Sequence, residues 1–132
     1  MQVENIFPSM TAEFTKRGAQ FFVVITNDAW FQKSRAPYEH LNTSVFRAIE
    51  TRRPFIHSAN TGVSGFIDST GKILDTLQDK NGRELFVSGG MTRPVTPQSV
   101  KTFYVEWGGY LPLLFFFLAA IPLAVVFVTR DK

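Results

Sequence analysis

The chain has 132 residues, of which 45% are hydrophobic and 14% aromatic, enough for one modest core and too few for two domains. Its net charge is +3 and its pI about 9.5, but the basic residues are scattered among the acids, so no nucleic-acid-binding stripe exists. The absence of cysteine excludes disulfides, thiolate metal sites and a cysteine nucleophile within these residues.

A mean hydropathy of +0.02 hides a strong asymmetry, because the last quarter is nearly uncharged while the rest has the charge density of an ordinary globular protein. One soluble domain plus a membrane anchor is the expectation. The opening Met1-Gln2-Val3-Glu4-Asn5 lacks the basic flank and apolar stretch of a secretory signal, so if Met1 is the true start, nothing at this end directs export.

Pro8 to Arg17 places Met10 and Phe14 at i, i+4 spacing with Gly18 just after, which predicts a short helix stopped at the glycine. Phe21 to Thr26 (FFVVIT) is a continuous apolar, β-branched and aromatic run, which predicts a central strand buried on both faces. Pro37 to Arg52 places Leu41, Val45, Ala48, Ile49 and Arg52 on one face behind a first-turn proline, and Pro54 ends the helix. Phe55 to Thr61 reads as a second strand, interrupted by Gly62 before Ser64 to Asp68. Ser69-Thr70-Gly71-Lys72 reads as a hairpin turn leading to Ile73-Leu74, and Leu85 to Val87 as a further strand. The expected order is α, β, α, β, β, β, followed by a connector rich in proline.

From Trp107 through Thr129 there is no charge, and the core Tyr110 to Val128 would span roughly 28 Å as a helix, close to the thickness of a bilayer core. Trp107 and Tyr110 stand where interfacial aromatics belong, and Arg130 and Lys132 close the far end. Pro112 falls in the first turn, whereas Pro122 lies inside the helix. The domain plan is therefore residues 1–90 as the globular part, 91–106 as connector, 107–129 as membrane helix and 130–132 as basic tail.

Two segments carry candidate chemistry. Asn27-Asp28-Ala29-Trp30-Phe31 follows a strand directly, the edge at which layered α/β folds place ligands, and its polar pair and aromatics suit an amide or ester with an apolar tail. A turn in which Asn27 and Asp28 bond their own backbone fits the same residues. Asn60-Thr61-Gly62 lies in a small-residue segment, 58–65, where glycine permits close approach to a ligand but also makes a plain turn. His40 and His57 are too few and too far apart locally to define a metal site, and read as structural hydrogen-bonding residues.

Taken together, NDAWF (27–31), Glu39-His40-Leu41, Arg47-Ala48-Ile49-Glu50, Arg53-Pro54, SANTGVSGFID (58–68) and Gly71-Lys72 resemble, in order and spacing, bacterial apolipoprotein N-acyltransferases. The wider similarity is to the nitrilase, or carbon–nitrogen hydrolase, superfamily. The resemblance implies the C-terminal half of an αββα sandwich, an α/β layered fold, followed by one transmembrane helix. It also implies acyl transfer through a Glu-Lys-Cys site from a phospholipid donor to the N-terminal amine of a diacylated lipoprotein, at the bacterial inner membrane, with the domain in the periplasm and no cofactor. The family's Cys-Tyr-Glu stretch matches Gln2-Val3-Glu4: Glu4 stands for the supporting glutamate and Gln2 for the nucleophile. The acid and lysine have no counterpart, so the expectation is an inactive fragment that needs a missing N-terminal half. Gln32 replaces a glycine usual in the family after Trp-Phe. A non-catalytic membrane-tethered interaction module is the alternative, and a soluble amidase fragment is disfavoured by the spanning segment.

Overall fold

The computed structural model describes residues 7–130, with side chains up to residue 122. Helix α1 (Pro8–Lys16) has its proline at the first turn, where a missing N–H costs nothing, and the chain leaves it through Gly18 at φ 97°. Strand β1 (Phe22–Asn27) follows, then a 3-10 turn (Ala29–Phe31) and helix α2 (Ala36–Thr51). Strands β2 (Phe55–Asn60), β3 (Gly65–Ile67) and β4 (Ile73–Thr76) complete a sheet of order β1-β2-β3-β4. The β1–β2 pair is parallel, with Phe22 opposite Phe55 and Asn27 opposite Asn60, and the other two pairs are antiparallel. The expected order of elements is present.

The core lies between α2 and one face of this sheet: Leu41, Ala48, Phe55, Val63 and Ile67 are buried, with Phe22, Val24, Val45 and Leu85 packed around them. Phe22 stacks on Phe55 at 4.8 Å between ring centroids. Among the described residues the opposite face is open along β1. Val23 and Ile25 are 53% and 73% exposed, so β1 is not buried on both faces as its composition predicts, and among the described residues it pairs with β2 alone, at the sheet edge. The apolar run registers a demand for cover on two faces, and the described chain supplies cover for one.

Three local expectations shift. On α1 the buried positions are Thr11 and Thr15, whose hydroxyl bonds the Thr11 carbonyl, while Met10 and Phe14 point outward. On α2 the inward stripe is Pro37, Leu41, Ser44, Ala48 and Thr51, with Arg47 also buried; Val45 is half-buried, Ile49 is exposed, and Arg52 caps the end in the left-handed region at φ 52°. The stripe runs at i, i+4, i+7 as a helix face must, rotated from the purely apolar one because Ser44 finds a polar partner inside. Leu85 to Val87 is no strand: Phe86 adopts φ 57° and donates its N–H to the Thr61 carbonyl, which ties residues 83–88 to the loop after β2.

The hairpin forms as expected. Asp68 accepts from the N–H groups of Thr70 and Lys72, and Gly71 takes φ 87° with no room for a Cβ beside Ile49. Residues 88–102 have no regular structure but are laced to the domain. Arg53, 3% exposed, donates to the carbonyls of Ala19, Thr51 and Val100, and the Thr102 hydroxyl donates to the Glu50 carbonyl while capping helix α3 (Phe103–Trp107). A 3-10 turn (Gly108–Tyr110) leads into helix α4 (Leu111–Arg130), which holds Pro122 within it. Residues 103–122 are long and apolar enough to cross a membrane, and only 6% of that window is buried against the rest of the chain.

Candidate functional site

Parallel pairing of β1 with β2 ends both strands at one edge of the sheet, and this brings the two candidate loops together. Asn60 Nδ2 donates to Asn27 Oδ1 at 3.2 Å, and the Asp28 N–H donates to the Asn60 carbonyl at 3.1 Å. Asn27 Oδ1 also accepts from the Ala29 N–H, so the local turn and the cross-loop contact are made by the same oxygen. Trp30 is 82% exposed and Phe31 half-exposed on the following turn, which projects two aromatics beside a polar edge.

Asp28 behaves differently from its neighbours. Its carboxylate turns inward and is 1% exposed. Oδ1 accepts from the Thr26 hydroxyl at 2.8 Å and from His40 Nδ1 at 2.9 Å. His40 comes from α2 and is flanked edge-on by Phe31 on one side and by the His57 ring of β2 on the other, the latter at 5.7 Å between centroids. His57 Nδ1 hydrogen-bonds the Ser44 hydroxyl at 2.9 Å. Burial, then the neighbouring His40, lowers the His57 pKa to about 4 against the pull of Asp28, so His57 is neutral at physiological pH. The two histidines, expected to be unrelated structural residues, are therefore one buried cluster with Asp28. The signal for this is topological: His57 alternates with Phe55 on the helix-facing side of β2, while His40 and Ser44 stand one turn apart on α2.

Thr61 and Gly62 form the other wall. Thr61 has φ 66°, an outlier for a β-branched residue that costs on the order of 1–3 kcal/mol and is held by the Phe86 bond to its carbonyl. Its hydroxyl is buried without a partner. Gly62 lies against the Asp28 carboxylate, so a Cβ there would collide with it and with Ala59. Gln32, at φ 48° and ψ −143°, keeps a conformation that favours glycine. Gln2 and Glu4 lie outside the described residues.

The geometry is a strand-edge platform with an inward brace. The model of the carbon-nitrogen hydrolase family matches residues 3–88. The chain belongs to the carbon–nitrogen hydrolase family. Within it, this carbon–nitrogen hydrolase chain is similar to proteins named apolipoprotein N-acyltransferase. That of Thermotoga maritima is 38% identical over 130 residues, 98% of this chain and 24% of the relative. That of Chlorobaculum tepidum is 44% identical over 129 residues, covering 98% and 23%. That of Geobacter metallireducens is 49% identical over 70 residues, covering 53% and 13%. The chain thus spans about a quarter of the length of the first of these relatives.

Proposed function

We propose that these residues are the C-terminal part of a membrane-bound apolipoprotein N-acyltransferase, and that they supply substrate-facing loops and the last membrane helix rather than the reacting groups. The single observation that carries this reading is the joining of Asn27 and Asn60 at the shared end of β1 and β2, with Trp30 exposed beside them. Polar amides at a strand edge can hold an ester or amide carbonyl, while Trp30 and Phe31 lie against an acyl chain. Asn27, Trp30, Phe31, Asn60, Thr61 and Gly62 form that surface, and Asp28 reaches substrate only by bracing them. The acyl donor is a phospholipid and the acceptor the N-terminal amine of a diacylated lipoprotein, both as the family resemblance of the sequence implies.

The chain alone does not turn over. It contains no cysteine, and the amide of Gln2, which the family resemblance sets at the nucleophile's position, cannot form a thioester. The open face of β1, carrying Val23 and Ile25, receives the second sheet of an αββα sandwich from the remaining part of the domain. In the intact protein the domain faces the periplasm, with α4 in the inner membrane.

The test is reconstitution. The purified chain in detergent, given phospholipid and a diacylated lipopeptide, should acylate no faster than a heat-denatured control. Gln2→Cys combined with the upstream half of a relative in trans should restore acylation. If the halves associate and fold yet no acyl-lipopeptide forms, the acyltransferase reading is wrong.

A further inference from the structure

Arg53 Nε donates to the Ala19 carbonyl and Nη1 to that of Val100, so the ends of α1 and α2 and the approach to α3 meet at one edge of the sheet, where β1 and β2 begin. Both helices therefore start at the opposite edge, where β1 and β2 end. Helix α3 sets out beside the end of α2, with the Thr102 hydroxyl on the Glu50 carbonyl. A cavity of about 400 Å³ between α3 and α1 is lined by Pro8 and Ser9 as well as by Gly108 and Gly109. The chain thus runs back along α1 to its first turn before Leu111 opens α4. The membrane-crossing segment and the Asn27–Asn60 platform leave the domain at the same end.

The turn beside that platform has the composition of a membrane-surface segment. Every residue from Phe31 to Arg35 is exposed, and Trp30 is 82% exposed. Lys33 and Arg35 enter no ion pair or side-chain hydrogen bond among the described residues. Asp79 and Glu84 share a cavity with Lys33, but Asp79 is held by Arg83 at 2.8 Å and Glu84 accepts from the Thr76 hydroxyl at 2.6 Å, so both acids are already engaged. Two free cations beside two exposed aromatics are the side chains that seat a segment in a lipid headgroup layer, with the rings among the headgroups and the cations on phosphate.

We propose that the turn from Trp30 to Arg35 rests on the surface of the bilayer that α4 crosses, with Trp30 and Phe31 among the headgroups and Lys33 and Arg35 against the phosphates of anionic phospholipids. The inference rests on the reading of α4 as a membrane span. It adds a second contact with the membrane, and a preference. Each cation near an anionic surface favours docking by roughly fivefold, so the pair shifts the balance between docked and undocked turn by about thirtyfold relative to a zwitterionic surface. An acyl donor drawn from that lipid layer reaches the platform beside Trp30, and a donor whose headgroup carries net negative charge is the one enriched there.

Trp107→Phe leaves Trp30 as the single tryptophan of the full chain. This protein is placed in lipid nanodiscs of phosphatidylcholine or of phosphatidylglycerol at low salt, and quenching of Trp30 by acrylamide, a neutral quencher, is measured. In the phosphatidylglycerol discs Trp30 should be several-fold less quenched and emit at shorter wavelength than in the phosphatidylcholine discs. Salt at about 1 M, where the Debye length falls to about 3 Å, should abolish the difference. Lys33→Gln/Arg35→Gln should give the phosphatidylcholine result in both discs. Equal quenching in the two lipids, or protection that survives in the double variant, overturns the proposal. Should the double variant fail to fold, the parent decides alone: protection that persists at high salt overturns it equally. Co-elution with the discs reports the span separately. A chain that stays with both discs and shows equal quenching loses the surface contact and keeps the span, whereas a chain that stays with neither loses both.

Discussion

Gly62 rests directly on the carboxylate of Asp28, so the loop after β2 and the turn after β1 share one contact surface with no room for a single added methyl. Gly62→Ala would drive a Cβ into both Asp28 and Ala59. Because Gly62 is not at positive φ, the penalty is steric rather than conformational, about 2 kcal/mol as for an overpacked core site. Chemical denaturation of the parent and variant in detergent measures it. A difference under about 0.5 kcal/mol, the range of neutral surface changes, would mean that the two loops separate easily.

Gln32 sits in backbone space that a glycine occupies freely. Gln32→Gly relieves strain of about 1–3 kcal/mol and adds unfolded-chain entropy worth about 0.4–1 kcal/mol, so the net expectation is a gain near 1 kcal/mol. Thermal unfolding of the two proteins decides it. A lower midpoint for the glycine variant would show that the turn is not strained in solution.

Arg53 donates to four carbonyls, those of Ala19, Thr51, Arg52 and Val100, and only a planar guanidinium can present donors in that spread. Arg53→Lys keeps the charge and loses at least one of these bonds, a cost of about 2–3 kcal/mol for a buried acceptor left unpaired. Residues 88–102 should then become the first site of cleavage in limited proteolysis. Unchanged cleavage would assign the connector's hold to Thr102 instead.

Asp68 supplies the pH dependence. Burial would raise its carboxyl, but hydrogen bonds from the Thr70 hydroxyl and from the Thr70 and Lys72 N–H groups, with the Lys72 charge, outweigh this and hold it below the usual carboxylate range. The folded pKa is depressed relative to the unfolded chain, so the turn's stabilisation is present above the ordinary carboxylate pKa and is lost as pH falls through the folded value. Asp68→Asn should flatten the part of the acid-unfolding curve that this group contributes. An unchanged acid limb would assign the dependence to other carboxylates.

The anchor makes a separate expectation. Phe116 is exposed on α4, within the apolar window. Phe116→Arg places a charge at a cost of about 2.5–3.5 kcal/mol in a bilayer interior, and the variant should be extracted from membranes by alkaline carbonate while the parent is retained. Retention of both would remove α4 as the span.

Local signals carried much of the fold. Pro37 and Pro54 bracket α2, Gly71 marks the hairpin, and the ordered motifs from Asn27 to Lys72 identify the family. What escaped depends on pairings between distant residues. Nothing local says that β1 and β2 run parallel, yet that register alone sets Asn27 beside Asn60, 33 positions apart. The same pairing, with α2 laid across it, assembles Asp28, His40 and His57, which look unrelated along the chain. Leu85 to Val87 has the composition of a strand, but Phe86 spends its N–H on the Thr61 carbonyl, and a ladder cannot form around a residue at positive φ.

The uncovered side of β1 has a consequence for how such a chain fares in a cell. Phe21 to Thr26 contains neither charge nor proline, shows alternate apolar side chains to solvent, and among the described residues pairs its backbone on one side only. A strand of that kind is a template for copies of itself, and six such residues are enough to seed cross-β stacking. Production of the chain without a covering partner would thus favour inclusion bodies over dispersed protein, and a lysine in place of Ile25 would act as a gatekeeper, keeping it dispersed.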